Sequence, residues 1–134
     1  MSEDSTLTAK PLRLECVWDP ELGQWLMVRE DETLGDVVWL RKGGPPRDVT
    51  ITLVPNQPGQ TFDRANPLFA SEVGCPPPSP RIDTDQIVNV TLDRSGTVLD
   101  FRNKNSGPAR DIHYQLNFSS GAAYDPMFRN GGGR

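Results

Sequence analysis

The chain has 134 residues, of which 35% are apolar, and this length is typical of one domain with a single hydrophobic core. Its net charge is −4, and 11 of its 18 acidic residues lie in the first half, at positions 1–66. This balance predicts neither a nucleic-acid partner nor a membrane partner, because both need clustered Lys and Arg to hold phosphates.

Residues 1–10 read MSEDSTLTAK, a polar and acidic segment that we expect to be flexible. The segment lacks the apolar stretch of a secretory signal peptide, and no run in the sequence approaches the length of a transmembrane helix. The sequence therefore predicts a cytoplasmic protein. In the cytosol Cys16 and Cys75 are expected to be free thiols, whereas a bridge between them would fit an exported protein.

The first periodic segment is LRLECVW, at 12–18. Its residues on one face are Leu12, Leu14, Cys16 and Trp18. This alternation predicts a half-buried strand. The turn DPELG and a second apolar run at 24–28 complete a predicted hairpin.

The middle of the chain is less regular. Apolar runs at 37–41 and 49–54 predict two more strands, separated by the break KGGPPRD. Residues 55–86 contain more than half of the 13 prolines, so we expect an irregular crossover there. One short strand or helical turn is expected within it, near 68–73.

The last third carries the clearest strand signals. IVNVTL, DRSG and TVLDF, at 87–101, predict a hairpin about a four-residue turn whose glycine takes a positive φ. After a polar loop, IHYQLNF at 112–118 alternates apolar and polar residues and predicts another strand.

No segment shows an apolar period of about 3.6 residues over several turns. Roughly seven or eight short strands punctuated by turns predict an all-β fold, a single antiparallel β-sandwich over 11–130. An immunoglobulin-like or cupredoxin-like topology is the expected arrangement. The glycine-rich end, 131–134, is predicted to be a disordered tail.

The single histidine, His113, restricts the chemistry that the chain can perform. A blue-copper site needs two histidines with a cysteine, so even a cupredoxin-like sandwich would lack a copper site here. By alternation His113 faces away from Ile112 and Tyr114, which indicates a surface residue rather than a catalytic base. We therefore predict a non-enzymatic protein with no catalytic residues and no cofactor.

Paired carboxylates leave a metal site open. Asp83 and Asp85 are two residues apart, so both side chains share one face if the segment is extended. Calcium needs six to eight oxygen ligands, and these two residues supply only part of such a set. The favoured interpretation is that both carboxylates are solvated, and Asp83 and Asp85 are kept as candidate metal ligands only.

The loop RNKNSGPAR gathers Arg102, Lys104 and Arg110, the only local basic cluster. It would suit an acidic protein partner or a phosphate, or it is simply a solvated loop. Among the tryptophans, Trp18 shares a face with buried positions, whereas Trp39 is expected to point outward. Trp39 is therefore a candidate for contact with a partner or a glycan.

The C-terminal segment contains Tyr124, Met127 and Phe128, which are too apolar for a solvated tail. We expect 124–128 to pack either onto the sandwich or onto a partner. Together these features predict a protein-interaction or assembly domain that acts through strand edges and this aromatic segment, by contact with a protein partner or by self-association. The alternative is a ligand-binding module, for a glycan or a calcium-linked ligand, that uses a tryptophan face or the Asp83/Asp85 loop; no small-molecule ligand is identified.

Overall fold

The computed structural model describes residues 11–33, 35–41, 44–54, 60–72 and 82–131. Within these ranges the chain is all-β, as predicted, and has no helix. The strands are β1 (Leu12–Asp19), β2 (Gln24–Arg29), β3 (Val37–Leu40), β4 (Arg47–Val54), β5 (Leu68–Ser71), β6 (Ile82–Asp83), β7 (Ile87–Leu92), β8 (Val98–Asn103), β9 (Arg110–Asn117), β10 (Ala123–Tyr124) and β11 (Met127–Asn130). The described residues thus form eleven strands instead of roughly seven or eight, because short pairings such as β6 and β10 leave little periodic signal.

The first sheet has the order β2-β1-β4-β8-β7. Both hairpins predicted for this part of the chain are confirmed: β1 pairs antiparallel with β2, and β7 pairs antiparallel with β8. The turn between β7 and β8 is closed by Asp93, whose carboxylate accepts the backbone N–H groups of Gly96, Thr97 and Val98. Gly96 has a φ of +80°, which is the conformation that the hairpin requires of its glycine.

The second sheet has the order β3-β11-β9-β5-β6, and β10 pairs with β9 beside this path. The predicted antiparallel arrangement is wrong, because both sheets are mixed. The pairs β1–β4, β3–β11 and β5–β6 run parallel. Alternation reveals which side chains face the core, but the pattern reads the same in both chain directions, so it carries no information on strand direction.

The two sheets pack face to face in a sandwich-like arrangement. Trp25 of the first sheet stacks on Phe118, beyond the end of β9, with ring centroids 4.0 Å apart. Phe101 of β8 meets Phe128 of β11 edge to face at 6.1 Å. The core also includes Leu14, Cys16, Met27, Ile51, Leu53, Leu99, Ile112, Tyr114 and Leu116.

The remaining predictions on the chain's organisation fall partly outside the described ranges. The segment 60–72 of the crossover contains β5, the short strand expected there, and Phe62, which bridges to Phe118. Cys16 is a free, buried thiol, whereas Cys75 lies outside the described residues. The N-terminal segment 1–10 and residues 132–134 also lie outside them. Of the predicted disordered tail only Gly131 is described, and its N–H donates to the Leu40 carbonyl. In the described part of the chain no helix is long and apolar enough to cross a membrane.

Candidate functional site

The outer side of β3 and β11 carries a group of large side chains that do not enter the core. Val38 and Leu40 of β3 point inward and are 1% and 4% exposed, so their neighbours Val37 and Trp39 point outward. Val37 is 36% exposed and Trp39 is 39% exposed. These two are, with Leu22 in the first turn, the exposed large apolar residues of the described chain.

The register of the second sheet extends this surface across three strands. Met127 of β11 lies between Val37 and His113. Arg129 lies between Trp39 and Asp111. We call the four residues Val37, Trp39, Met127 and Arg129 the β3–β11 face.

Arg129 organises the polar part of the β3–β11 face. Its guanidinium carbon lies 4.9 Å from the centre of the Trp39 ring, in a cation–π contact. Its Nε lies 3.6 Å from a carboxylate oxygen of Asp111. The Trp39 ring therefore lies beside a charged pair formed by Arg129 and Asp111.

The aromatic C-terminal segment follows the first of its two predicted alternatives and packs onto the sandwich. β11 is an inner strand, flanked by β3 and β9, and Phe128 is fully buried against Tyr114 with ring centroids 4.9 Å apart. Phe128 was expected as a contact residue, but it has no accessible surface to offer a partner. Tyr124 is half-buried, and its hydroxyl donates a hydrogen bond to the Asp36 carboxylate. Met127 lies on the β3–β11 face.

The basic residues Arg102, Lys104 and Arg110 do not form one free surface. Arg102 lies on β8 in the first sheet, and its Nε donates to the Asp48 carboxylate at 2.8 Å. Arg110 begins β9 in the second sheet, where its Nη1 is 3.1 Å from Glu72 and 3.6 Å from Asp85. Lys104 is exposed between them. Arg102 and Arg110 are therefore each paired with a carboxylate of the same chain.

The two candidate metal ligands, Asp83 and Asp85, lie in different surroundings. Asp83 is exposed on β6, and Asp85 is exposed in the turn that follows. A hydrogen bond from Gln86 and the charge of Arg110 lower the pKa of Asp85, so this carboxylate already has a cationic neighbour. Among the described residues no group of three or more His, Cys, Asp or Glu side chains is placed to hold a metal ion.

The three tryptophans do not share a platform. Trp18 and Trp25 contact each other edge to face at 5.3 Å, and Trp25 is buried with 9% exposure. Trp39 lies on the other sheet, in β3. A glycan-binding surface that combined their rings would need them on one face.

The register brings one serine beside the histidine, which the sequence did not indicate. Ser71 of β5 is aligned with His113 of β9, and Asp111 is on the same outer face of β9. Ser71 is 0% exposed, so a substrate cannot reach its hydroxyl, and Asp111 faces Arg129. This alignment does not build a nucleophile, base and acid in a common cleft.

A cluster of hydrogen bonds around Asp36, an exposed residue, was also missed. Asp36 accepts hydrogen bonds from the Tyr124 hydroxyl and the Met27 N–H, and its backbone carbonyl accepts the Met127 N–H. Burial, together with the charge of Asp36, raises the pKa of both Cys16 and Tyr114. In the sequence Asp36 is one of several acids in a loop, and only the folded chain shows that it ties both sheets together.

Comparison with known proteins adds no assignment. A scan against protein-family models and a search of curated proteins each found no match. The proposals below therefore rest on the geometry of the chain.

Proposed function

We propose that this chain is a non-enzymatic protein-interaction domain whose contact surface is the β3–β11 face. The observation that carries the proposal is the exposure of Trp39 beside Val37 on β3, the last strand in the order of its sheet. Burying an exposed tryptophan and valine against a partner is favourable by roughly 25 cal/mol for each Å² of apolar surface removed from water.

The composition of the β3–β11 face matches what protein interfaces use. Trp, Met and Arg are enriched at interfaces, and tryptophan and arginine are the commonest residues with a large effect on binding. Trp39 and Met127 supply the apolar part, and Arg129 with Asp111 supplies a charged border. Because the ring of Trp39 already lies against Arg129, less side-chain freedom is lost when a partner binds.

The ligand-binding alternative is less well supported. A glycan module needs aromatic rings on one face, but Trp18 and Trp25 pack against each other at 5.3 Å. A calcium-linked ligand needs oxygen ligands free of cations, but Asp85 lies 3.6 Å from Arg110. Contact with a protein, by contrast, requires no site beyond the side chains, such as Val37 and Trp39, that the folded chain already exposes.

The test compares Trp39→Ser with Leu22→Ser, which is a matched control because Leu22 is 64% exposed in the turn between β1 and β2. Light scattering over a concentration series measures self-association, and affinity capture with mass spectrometry measures binding of other proteins. We expect Trp39→Ser to lose the complex and Leu22→Ser to retain it. A wild-type chain that stays monomeric and captures the same proteins as Trp39→Ser would contradict the proposal.

A further inference from the structure

The sequence contains one Asn-Gly pair, Asn130–Gly131, at the end of β11. Asparagine side chains are among the chemically labile groups of proteins. An Asn-Gly pair is especially reactive, because glycine has no Cβ atom to hinder attack of its backbone nitrogen on the asparagine carboxamide. In the folded chain this pair lies where β11 of the second sheet contacts β8 of the first, through Asn103. Its chemistry therefore bears on how the two sheets are held together.

The carboxamide of Asn130 is enclosed by the fold. Asn130 is 2% exposed, and Asn103 engages both polar atoms of its side chain. Nδ2 of Asn130 donates to Oδ1 of Asn103 at 2.7 Å, and Oδ1 of Asn130 accepts from Nδ2 of Asn103 at 2.9 Å. While this pair is intact, solvent water is kept from the carboxamide carbon of Asn130.

The attacking nitrogen, that of Gly131, is held as well. Its N–H donates to the Leu40 carbonyl at 2.7 Å, which continues the parallel pairing of β11 with β3. Asn130 is extended as part of β11, whereas cyclisation requires its backbone to rotate until the Gly131 nitrogen faces Cγ of Asn130. That rotation would break the hydrogen bond to Leu40. The folded strand thus opposes the reaction at both reacting atoms.

We propose that Asn130–Gly131 is a latent deamidation site, closed while the end of β11 is paired and opened by local release of that end. On release, the Gly131 nitrogen bonds to Cγ of Asn130 and loses its proton, and the Cγ–Nδ2 bond breaks to release ammonia. Water then opens the resulting cyclic imide at either of its carbonyl groups, which gives aspartate or isoaspartate at position 130. Water is the only co-reactant, and loss of ammonia to the solvent makes the change irreversible.

The product cannot restore the contacts of Asn130. An aspartate has no N–H to donate to Oδ1 of Asn103, and its charge would lie in a buried site. An isoaspartate also adds a carbon atom to the main chain, so β11 cannot keep its register with β3 and β9 on both sides of it. Deamidation therefore converts a transient opening of β11 into a permanent loss of its contact with the first sheet. This inference does not depend on the function proposed for the β3–β11 face.

The test incubates the full chain at mildly alkaline pH, both folded in buffer and unfolded in urea. Peptide mass spectrometry follows the mass increase at Asn130 as its NH2 group is replaced by OH. We expect conversion in the folded chain to be slower by about tenfold or more, because only the opened state reacts. Urea below the unfolding transition should change the folded rate little, since local opening exposes little surface. Equal rates in the folded and unfolded chains, or a steep dependence on urea, would overturn the proposal.

Two variants separate local release of β11 from a loss of overall stability. Asn103→Ala removes the partner of the Asn130 carboxamide and leaves the reacting pair unchanged. Leu53→Ala is the control, because Leu53 is a core residue at the far end of β4 from the position aligned with Asn103. We expect Asn103→Ala to accelerate conversion of Asn130 by about fivefold, the effect of one lost hydrogen bond, and more than Leu53→Ala does.

Equal acceleration in the two variants, or a faster reaction in Leu53→Ala, would mean that the site opens by global unfolding, and the proposal is then wrong. If Asn103→Ala does not fold, the urea dependence of the wild type still decides the question. Asn130→Asp copies one product of the reaction and should melt below the wild type, because it buries a charge without a donor to Asn103. Melting at the wild-type temperature would contradict the release of β11.

Discussion

Two tyrosines show how burial and hydrogen bonding act on the same kind of side chain. The hydroxyl of Tyr124 donates to Asp36 at the junction of the two sheets. The hydroxyl of Tyr114 is fully buried and has no hydrogen-bond partner among the described residues. Both side chains contribute apolar surface to the core, so the difference between them lies in the hydroxyl group alone.

Removing each hydroxyl should therefore have opposite effects. Tyr124→Phe removes the hydroxyl that donates to the Asp36 carboxylate, which keeps only the Met27 N–H, and should lower the free energy of unfolding by about 1 kcal/mol. Tyr114→Phe removes an unpaired buried hydroxyl and should leave the free energy unchanged or raise it by up to about 1 kcal/mol. Urea denaturation measures both. A greater loss in Tyr114→Phe than in Tyr124→Phe would show that the Tyr114 hydroxyl has a partner.

Cys16 makes the fold sensitive to alkaline pH. Burial, with a smaller effect of the charge of Asp36, raises the pKa of Cys16 to about 12. In the unfolded chain the thiol loses its proton above pH ~8.5, whereas in the folded chain it keeps it, so the free energy of unfolding should fall as pH rises, by up to about 1.4 kcal/mol per pH unit. Urea denaturation from about pH 8 to about pH 9.5 should show this fall in wild type and a flatter profile in Cys16→Ala. Tyrosines of the unfolded chain ionise near pH ~10 and contribute equally in both proteins, so the difference between the two profiles reports the thiol. Equal slopes in the two proteins would exclude the thiol as the cause.

Among the strands, β11 incorporates the aromatic C-terminal segment into the second sheet. It is the inner strand between β3 and β9, although it is the last of the described strands in chain order. Phe128 enters the core and Met127 faces outward. The aromatic end of the sequence is thus part of the sheet, and the surface it leaves exposed is the side of β11 away from the core.

Substitutions on the two sides of β11 should differ in cost. Phe128→Ala opens a cavity in the core and should lower the free energy of unfolding by about 3–5 kcal/mol. Met127→Ala, the matched control on the outer side, should cost about 1 kcal/mol or less because its side chain is only half-buried. Thermal and urea denaturation test both variants. Similar losses would mean that β11 is not held by its inner face.

At the scale of the whole molecule, a buried asparagine pair joins the sheets. Nδ2 of Asn103 in β8 donates to Oδ1 of Asn130 in β11 at 2.9 Å, and Nδ2 of Asn130 donates to Oδ1 of Asn103 at 2.7 Å. Asn103 is 0% exposed and Asn130 is 2% exposed. Because each amide satisfies the other, the pair aligns the sheets without leaving a buried polar group unpaired.

Loss of either asparagine should be costly, and the two losses should not add. Asn103→Ala and Asn130→Ala each strand one buried amide and should lower the free energy of unfolding by about 1–3 kcal/mol. The double variant removes both amides, so it should cost less than the sum of the single variants by about 0.5 kcal/mol or more. Denaturation of the four proteins completes the cycle. Additive losses would show that the two side chains stabilise the sheets separately.

The all-β class, the two hairpins of the first sheet and the inward face of most long strands could be predicted from local sequence patterns. The alternation of Leu12, Leu14 and Cys16 and the glycine turn at Gly96 are local features, and each works over a few residues of chain. The outward position of Trp39 followed from the same alternation. These predictions needed no knowledge of which strands are neighbours.

The parallel strand pairs, the position of β11 within its sheet and the partner of each charged side chain became known only from the folded chain. Tyr124 donates to Asp36, and Arg102 pairs with Asp48, across segments far apart in the sequence. Strand alternation is the same for parallel and antiparallel neighbours, so no local pattern can reveal such encounters. The β3–β11 face arises from a parallel pairing, which is why the sequence indicated Trp39 and Met127 but not Val37 and Arg129 beside them.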